Sequence, residues 1–250
     1  MIWSFAYGSR QNEVKLIEAT PAHCGQLLAQ QRVEAALVPI IEYQRLSGIA
    51  VVPDVCVGSL AQVRSVVLVT RLKALKDIRK IALDESSRTS AALVKIIFRE
   101  FLEVEPLWVA QTPDLERMLK ENDAALIIGD PAMTFSREGL QVHDLATLWR
   151  KYTGLGFVFA MWMISDEASA AARRIDFRAA RDEGLARISE IIDFYQPLLG
   201  LSRPELDFYI RENISFRMET EMVAGLELYY RLAHKHGLIP AVKPLRSLQP

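Results

Sequence analysis

The sequence has few cysteines and no long apolar run, and each shortage excludes a class of protein. Two of its 250 residues are cysteines, Cys24 and Cys56, without C-x-x-C spacing, which argues against a disulfide framework or a zinc knuckle. The longest uninterrupted apolar run covers residues 157–164, far short of the roughly 20 residues that span a bilayer. Residues 1–10 lack the basic start and sustained apolar stretch of a secretory signal. We therefore expect a cytoplasmic protein.

The sequence also has almost no net charge. It carries 30 Lys and Arg against 31 Asp and Glu, a net charge of −1, so no bulk electrostatic attraction favours nucleic acid or an anionic membrane as a partner. With 50% hydrophobic and 24% charged residues, the composition is that of an ordinary globular protein. A small molecule is the partner that this composition favours.

Common catalytic and metal-binding motifs are missing. The sequence contains four histidines, of which His234 and His236 are two residues apart and would point about 200° away from each other on a helix. We find no G-x-S-x-G, H-E-x-x-H, P-loop or G-x-G-x-x-G motif, and so no basis for a serine hydrolase, a zinc protease, an NTPase or a classical dinucleotide enzyme. Neither a metal nor an organic cofactor is implied.

What the first two-thirds of the sequence does contain is an alternation of strand and helix patterns. Short apolar runs bounded by polar residues, Gly or Pro predict buried strands, and helical patterns at 21–30, 89–101 and 113–121 lie between them. Such an alternation is typical of βα units with a mostly parallel sheet. The predicted strands are residues 14–17, 35–38, 65–70, 80–83, 107–110 and 124–128.

After residue 164 the pattern becomes helical, with stretches at 166–184, 185–199, 203–213 and 219–235. Two extended runs, 66–70 and 157–164, are candidate crossovers between two parts of the molecule. We therefore predict an outer lobe of residues 1–69 and 157–250, and a middle lobe of residues 70–156 inserted into it. The cleft between two such lobes is a common place for a small-molecule site.

The most informative polar segment is predicted to begin the helix at 89–101. Ser87, Arg88, Thr89 and Ser90 combine hydroxyl groups and a guanidinium with a helix start, whose free N–H groups and partial positive charge favour an anion. One hydroxyl is enough to cap a helix, so four hydroxyls, counting that of Ser86, together with Arg88 exceed that need. The segment predicts a carboxylate or phosphate site, with plain capping as the alternative.

Three further residues have both a ligand interpretation and an ordinary structural one. Asp130 follows a predicted strand, where it could contact a ligand at the carboxyl edge of the sheet or cap the next helix. Phe157 and Phe159 share one face of a predicted strand and could form a wall against a flat ring. Packing in the core is the alternative for both rings.

Several segments form a recognisable set, in order along nearly the whole chain, and the Ser-Arg-Thr-Ser element at 87–90 and the Thr-Gly-Leu-x-Phe-Val-Phe-Ala-x-Trp element at 153–162 are the most specific of them. Together they resemble the menaquinone-biosynthesis chorismate dehydratases of the futalosine pathway. The resemblance implies an α/β, two-lobe, type II periplasmic-binding-protein-like fold with a helical C-terminal region, which agrees with the lobes inferred above. The segments lie at residues 37–43, 52–59, 63–66, 82–84, 87–90, 128–132, 144–149 and 153–162.

What the resemblance implies for function is a carbon–oxygen lyase that dehydrates chorismate to 3-[(1-carboxyvinyl)oxy]benzoate without metal or organic cofactor. The partner would be this dicarboxylate substrate, with neither nucleic acid nor membrane involved, and a homodimer is compatible with the resemblance. The expected base is the enolpyruvyl carboxylate of the substrate itself. The residues expected to bind substrate are Ser59, Ser65, Ser87, Arg88, Thr89, Ser90, Asp130 and Phe157.

The sequence departs from this family at its beginning. Members usually start with a strand and a Tyr-Leu-Asn segment whose asparagine lies in the active site, and residues 1–8 align just after it. We expect that strand and asparagine to be absent here, which leaves the catalytic residue unknown. Two alternatives stay open: a non-catalytic small-carboxylate binding module of the same fold, and the naphthoate synthase of the same pathway, which would place a histidine base near the cleft.

Overall fold

A computed structural model describes residues 1–248, which form two β-sheets with helices packed around them. The strands are β1 (Ala35–Pro39), β2 (Ile49–Ser59), β3 (Val66–Thr70), β4 (Lys80–Asp84), β5 (Leu107–Gln111), β6 (Ala124–Ile128), β7 (Gln141–Asp144) and β8 (Phe157–Ser165). The α-helices are α1 (Trp3–Ala6), α2 (Pro21–Ala29), α3 (Arg88–Ile96), α4 (Leu115–Glu121), α5 (Asp130–Thr134), α6 (Leu145–Thr153), α7 (Ala170–Arg173), α8 (Phe177–Ala186), α9 (Ile188–Leu199), α10 (Arg203–Phe208) and α11 (Thr220–Lys235). No helix within residues 1–248 is long and apolar enough to cross a bilayer.

The first sheet has three strands in the order β1-β8-β2, and both pairs are antiparallel. The predicted strands at 35–38 and 157–164 are confirmed as β1 and β8. Strand β2 was not predicted because Pro53 and Asp54 interrupt its pattern. The register against β8 shifts between Val51 and Cys56, and Asp54 has a positive φ of 60°, so these residues form a bulge, where strands tolerate proline.

The second sheet has five strands in the order β5-β4-β6-β3-β7. Strand β4 is parallel to β5 and β6, whereas β3 is antiparallel to β6 and β7. The expectation of a mostly parallel sheet is therefore wrong for the molecule as a whole. Parallel pairing requires a crossover such as a helix, and α3 and α4 supply crossovers to β5 and β6, while β3 enters directly from the first sheet.

The predicted strand at residues 14–17 is also wrong, because these residues have no regular secondary structure. A strand requires a hydrogen-bonded neighbour, and within residues 1–248 no strand pairs with this segment. It faces residues 33–36, at the start of β1, across a groove of about 460 Å³. Among residues 1–248, β1 pairs with β8 alone, so no described strand covers its other edge along this groove.

The helical C-terminal region is confirmed, and α11 packs closely against the chain between α6 and β8. A Cβ atom at Gly225 would lie 2.0 Å from the carbonyl oxygen of Gly156, so no larger residue fits there without a shift. Beside this contact the rings of Trp149, Phe157 and Tyr229 form a fully buried aromatic cluster. This cluster thus joins helices α6 and α11 to strand β8 of the first sheet.

The two sheets correspond to the parts of the chain for which two lobes are predicted. Strand β3 lies wholly in the second sheet, so residues 66–69 belong with that sheet. The predicted boundary at 69/70 had placed them in the outer lobe. The chain therefore passes between the sheets at residues 60–65 and again at 154–156. Movement of these units as separate lobes stays a prediction.

Candidate functional site

A cleft of about 480 Å³ lies between the two sheets, and its two sides differ in chemistry. The side formed by the second sheet carries hydroxyl groups and an arginine; we call it the polar wall. The side formed by the first sheet carries aliphatic and aromatic side chains; we call it the apolar wall. The polar wall comprises Ser65, Val66, Ser87, Arg88, Thr89, Ser90, Ile128 and Gly129, and the apolar wall comprises Leu37, Pro39, Val57, Phe159, Ala160 and Trp162.

The centre of the polar wall is the start of helix α3. Strand β4 ends at Asp84, whose buried carboxylate accepts hydrogen bonds from the amide and hydroxyl of Ser86 at 2.8 and 2.6 Å. Ser87 is the N-cap residue, but its side chain makes no capping hydrogen bond. The amide groups of the first turn therefore keep their capacity to donate, and the helix dipole favours an anion beside them.

Thr89 is held at the helix start by the 3-10 turn that follows β1 and by α11. Its Oγ1 accepts a hydrogen bond from the amide of Ile41 at 3.4 Å, and its carbonyl accepts one from the hydroxyl of Tyr229 at 3.1 Å. Because the hydroxyl accepts from Ile41, its hydrogen remains available to donate into the cleft. Thr89 and Ser90 are both buried, so a ligand would meet them in a largely desolvated place.

The guanidinium of Arg88 supplies the positive charge of the polar wall. Its Nε lies 3.9 Å from the buried carboxylate of Glu42, which also accepts a hydrogen bond from Arg45 at 2.7 Å. Glu42 therefore pairs more closely with Arg45 than with Arg88. The side chain of Arg88 is 38% exposed, and it can turn its planar donors toward a carboxylate or phosphate.

The apolar wall takes Phe159, Ala160 and Trp162 from β8, together with residues of β1 and β2. Phe159 and Trp162 lie against the cleft, and the Trp162 ring also packs on Phe177 at 4.8 Å between centroids. Phe157 does not reach the cleft: its ring is buried at 5.4 Å from Trp149 and 5.1 Å from Tyr229. Phe159 is therefore the ring that a flat ligand would meet.

Five of the eight residues expected to bind substrate come together in the cleft, and three lie outside its lining. Ser59 lies outside the lining, where its buried Oγ accepts a hydrogen bond from the amide of Ala61 at 3.3 Å. Phe157 lies in the core as described above, and substrate contact by either residue stays a prediction. Asp130 is exposed at the start of α5, one residue beyond Gly129 of the lining. The five that meet in the cleft are Ser65, Ser87, Arg88, Thr89 and Ser90.

Sequence reasoning missed two aromatic residues of the cleft, Trp162 and Tyr195. Trp162 was visible as part of the Phe-Ala-x-Trp element, but its contact with the ligand space depends on which face of β8 turns inward. Tyr195 belongs to α9, far along the chain, and no local pattern connects it to the cleft. Burial raises the pKa of its hydroxyl, and the nearby charges of Glu18 and Asp130 act in the same direction.

Comparison with known proteins gives the arrangement a context. A family model described as "Menaquinone biosynthesis" matches residues 1–235. The chorismate dehydratase of Thermus thermophilus is 30% identical over 234 residues, which cover 86% of this chain and 85% of that protein.

Solved structures resemble the fold at low sequence identity. A protein from Archaeoglobus fulgidus matches with a TM-score of 0.72 at 19% identity, covering 95% of this chain and 93% of that one. A Candida albicans protein with the generic periplasmic-binding-protein fold matches with a TM-score of 0.66 at 12% identity, over 100% and 94% of the two chains. The aliphatic sulphonate binding protein of Escherichia coli matches with a TM-score of 0.56 at 14% identity, over 94% and 82%. The expected periplasmic-binding-protein-like fold is thereby confirmed.

Proposed function

This chain belongs to the menaquinone-biosynthesis family, and we propose that it dehydrates chorismate to 3-[(1-carboxyvinyl)oxy]benzoate in the futalosine route to menaquinone. The observation that carries the proposal is the cleft with one polar and one apolar wall. Chorismate has the matching chemistry, since it joins carboxylates to a cyclohexadiene ring. The Thermus thermophilus relative, which is named a chorismate dehydratase, supports the same substrate.

In the bound state one substrate carboxylate lies at the start of α3. The hydroxyl groups of Ser87, Thr89 and Ser90 donate to it, and the Arg88 guanidinium balances its charge. The ring then lies against Phe159 and Trp162, where the apolar wall excludes water from its faces. Polar groups on one side and rings on the other fix the orientation of the substrate.

The reaction needs orientation and proton transfer more than it needs an electrophile. A base removes the ring proton next to the hydroxyl-bearing carbon, the carbon–oxygen bond breaks, and the departing hydroxide takes up a proton to form water. The electron pair of the broken C–H bond becomes part of the new benzene ring, so nothing is oxidised or reduced. We assign the role of base to the enolpyruvyl carboxylate of the substrate, which a rigid cleft holds close to that proton.

Two other functions are compatible with the fold, and a different observation separates each of them from the dehydratase. A naphthoate synthase of the same pathway would require a histidine base at the cleft, and the described residues that line the cleft include no histidine. A non-catalytic carboxylate-binding module would need the same polar wall, so turnover separates it from the dehydratase.

We also propose that the cleft closes over substrate by movement of the two lobes about the crossovers at 60–65 and 154–156. The first crossover is attached to the second sheet by the buried Asp144, whose carboxylate accepts hydrogen bonds from the amides of Val63 and Arg64. Bending would then fall between this anchor and the end of β2. A smaller radius of gyration by X-ray scattering with saturating chorismate is expected, and superimposable curves would contradict closure.

The function is tested by incubating the purified chain with chorismate and identifying the product by ultraviolet absorbance and NMR. We expect an aromatic product carrying the carboxyvinyl ether, formed at a rate proportional to protein concentration and lost in an Arg88→Met variant. Binding of chorismate without turnover would favour the binding module instead. The absence of both binding and turnover would overturn the proposal.

A further inference from the structure

Ser65 is the one hydroxyl of the polar wall that does not come from the α3 start. It lies in the crossover between β2 and β3, is buried, and lines the cleft. Its carbonyl oxygen accepts a hydrogen bond from the amide of Gly129 at 2.8 Å, which ties it to the end of β6. The backbone of Ser65 is therefore fixed relative to the second sheet.

The hydroxyl of Ser65 is held from the opposite side by Tyr209. This tyrosine lies in the π-helical turn Tyr209–Asn213 that follows α10, and its hydroxyl donates to Ser65 Oγ at 2.9 Å. Burial raises the pKa of Tyr209, so the phenol keeps its proton at neutral pH and acts as a donor. Next to it, Arg64 and Glu205 of α10 form an ion pair at 2.8 Å, which holds the helix against the crossover.

Accepting this bond determines where the Ser65 hydrogen can point. A serine hydroxyl has one hydrogen and two lone pairs, and Tyr209 occupies a lone pair. The acceptor nearest to the hydrogen is the carbonyl of Val63, whose oxygen lies 3.4 Å from Ser65 Oγ. This is long, because the oxygens of an O–H···O hydrogen bond usually lie about 2.5–3.0 Å apart. A charged ligand oxygen in the cleft would be a much stronger acceptor than this carbonyl.

We propose that Tyr209 is a positioning residue, which directs and polarises the Ser65 hydroxyl so that it donates to an oxygen of a carboxylate-bearing ligand. This inference rests on the proposed function for the identity of that ligand, chorismate. Tyr209 itself lies behind Ser65 and does not line the cleft. Its effect on substrate must therefore pass through Ser65, because a hydrogen bond that is accepted strengthens the one that is donated.

A double-mutant cycle in the full chain tests this directly. Tyr209→Phe, Ser65→Ala and the double variant are compared with wild type for the KM and kcat of chorismate turnover and for Tm. We expect Tyr209→Phe to raise KM about 3- to 10-fold, as the loss of one hydrogen bond does, with a smaller change in kcat. In the Ser65→Ala background the same substitution should change KM by less than about 1.5-fold, because the hydroxyl through which Tyr209 acts is already absent.

Tyr43→Phe is the matched control, because the buried Tyr43 hydroxyl donates at 2.9 Å to the carbonyl of Pro244, away from the cleft lining. It should lower Tm and leave KM unchanged. An equal KM effect of Tyr209→Phe in both backgrounds, or no effect in wild type, would overturn the inference while the wild-type enzyme still turned over chorismate. If Tyr209→Phe did not fold, an unchanged KM for Ser65→Ala would overturn it alone. A wild type without chorismate binding or turnover would overturn the proposed function as well.

Discussion

The two walls of the cleft come from sheets of different construction. The polar wall is built on the five-stranded sheet, where β4 is flanked by parallel neighbours and leads through a short turn into α3. The apolar wall is built on a three-stranded antiparallel sheet, in which no described strand covers one edge of β1 along a groove. One wall collects free donors at a helix start, and the other presents rings and aliphatic side chains.

This difference teaches how one cleft can orient a substrate that has both a charged and an apolar part. Donors at the start of α3 select and hold an anionic group, because buried N–H and O–H groups without acceptors gain most from a charged oxygen. The rings on the opposite wall favour a flat apolar group, which packs against them. The two walls together should distinguish the two ends of chorismate, and separate substitutions in each wall test that division.

The largest loss should follow from removing the positive charge of the polar wall. Arg88→Met keeps much of the side-chain volume but leaves a substrate carboxylate unpaired, a loss of about 2–5 kcal/mol and so about 30-fold or more in kcat/KM. Arg117→Met is the matched control, since Arg117 of α4 is exposed and forms a surface pair with Glu121. Steady-state kinetics with chorismate measure both. Equal kcat/KM values for the two variants would show that Arg88 does not bind the substrate carboxylate.

A smaller loss should follow from removing one neutral donor of the same wall. Thr89→Val keeps the shape of the side chain but removes a hydrogen bond to a charged group, which typically costs about 1.5–3 kcal/mol of binding free energy. Titration calorimetry with chorismate gives the affinity. Thr112→Val serves as control, because Thr112 makes an exposed side-chain bond to Glu85. Unchanged affinity in Thr89→Val would contradict the carboxylate site.

Substitutions in the apolar wall should cost less and should not depend on charge. Phe159→Leu removes a ring that lines the cleft, with an expected loss of about 0.5–1.5 kcal/mol in the binding free energy of chorismate and a small change in Tm. Phe157→Leu should do the opposite, lowering Tm because its ring is in the core. If both variants changed affinity alike, the distinction between the lining ring and the core ring would be wrong.

The smallest effect on the cleft is expected for Glu183 of α8, whose carboxylate stabilises the attachment of residues 4–9 to that helix. Hydrogen bonds from Ser4 and Ser9 lower the pKa of Glu183 from 4.5 to about 2, and they fasten residues 4–9 to helix α8. A lowered carboxyl pKa adds stability above pH 4.5 that is lost as the pH falls toward 2. Glu183→Gln should therefore lower Tm at neutral pH and flatten its decline over that interval, without altering chorismate affinity. A decline as steep as that of wild type would contradict this role.

Most strands of both sheets could be predicted from the sequence, whereas β2 of the first sheet and β7 of the second could not, for physical reasons that particular residues show. Strands β4, β5 and β6 are short apolar runs separated by helical patterns, so local periodicity is enough to find them. Residues 14–17 form an equally apolar run, yet a strand also needs a paired neighbour, which local sequence does not reveal. Strand β2 escaped prediction because its bulge at Pro53 and Asp54 breaks the pattern.

The residues of the site also differ in how well the sequence predicts them. The donors from Ser87 to Ser90 are consecutive, so the pattern of a single helix start was enough to predict them. The sequence does not show which ring of β8 reaches the cleft, because nearly every residue of this strand is buried. Alternation places Phe157 and Phe159 on the same face, so it cannot distinguish them. Tyr195 and Tyr209 come from helices at the far end of the chain, and only the tertiary fold brings them to the site.

A crystal structure with bound 3-[(1-carboxyvinyl)oxy]benzoate tests the two-wall account most directly. We expect one product carboxylate within about 2.7–3.2 Å of donors at the α3 start, including Thr89 Oγ1 or the Arg88 guanidinium. The benzene ring should lie against Phe159 and Trp162. A product bound with its ring at the α3 start, or in the groove beside β1 and not in the cleft, would contradict the account.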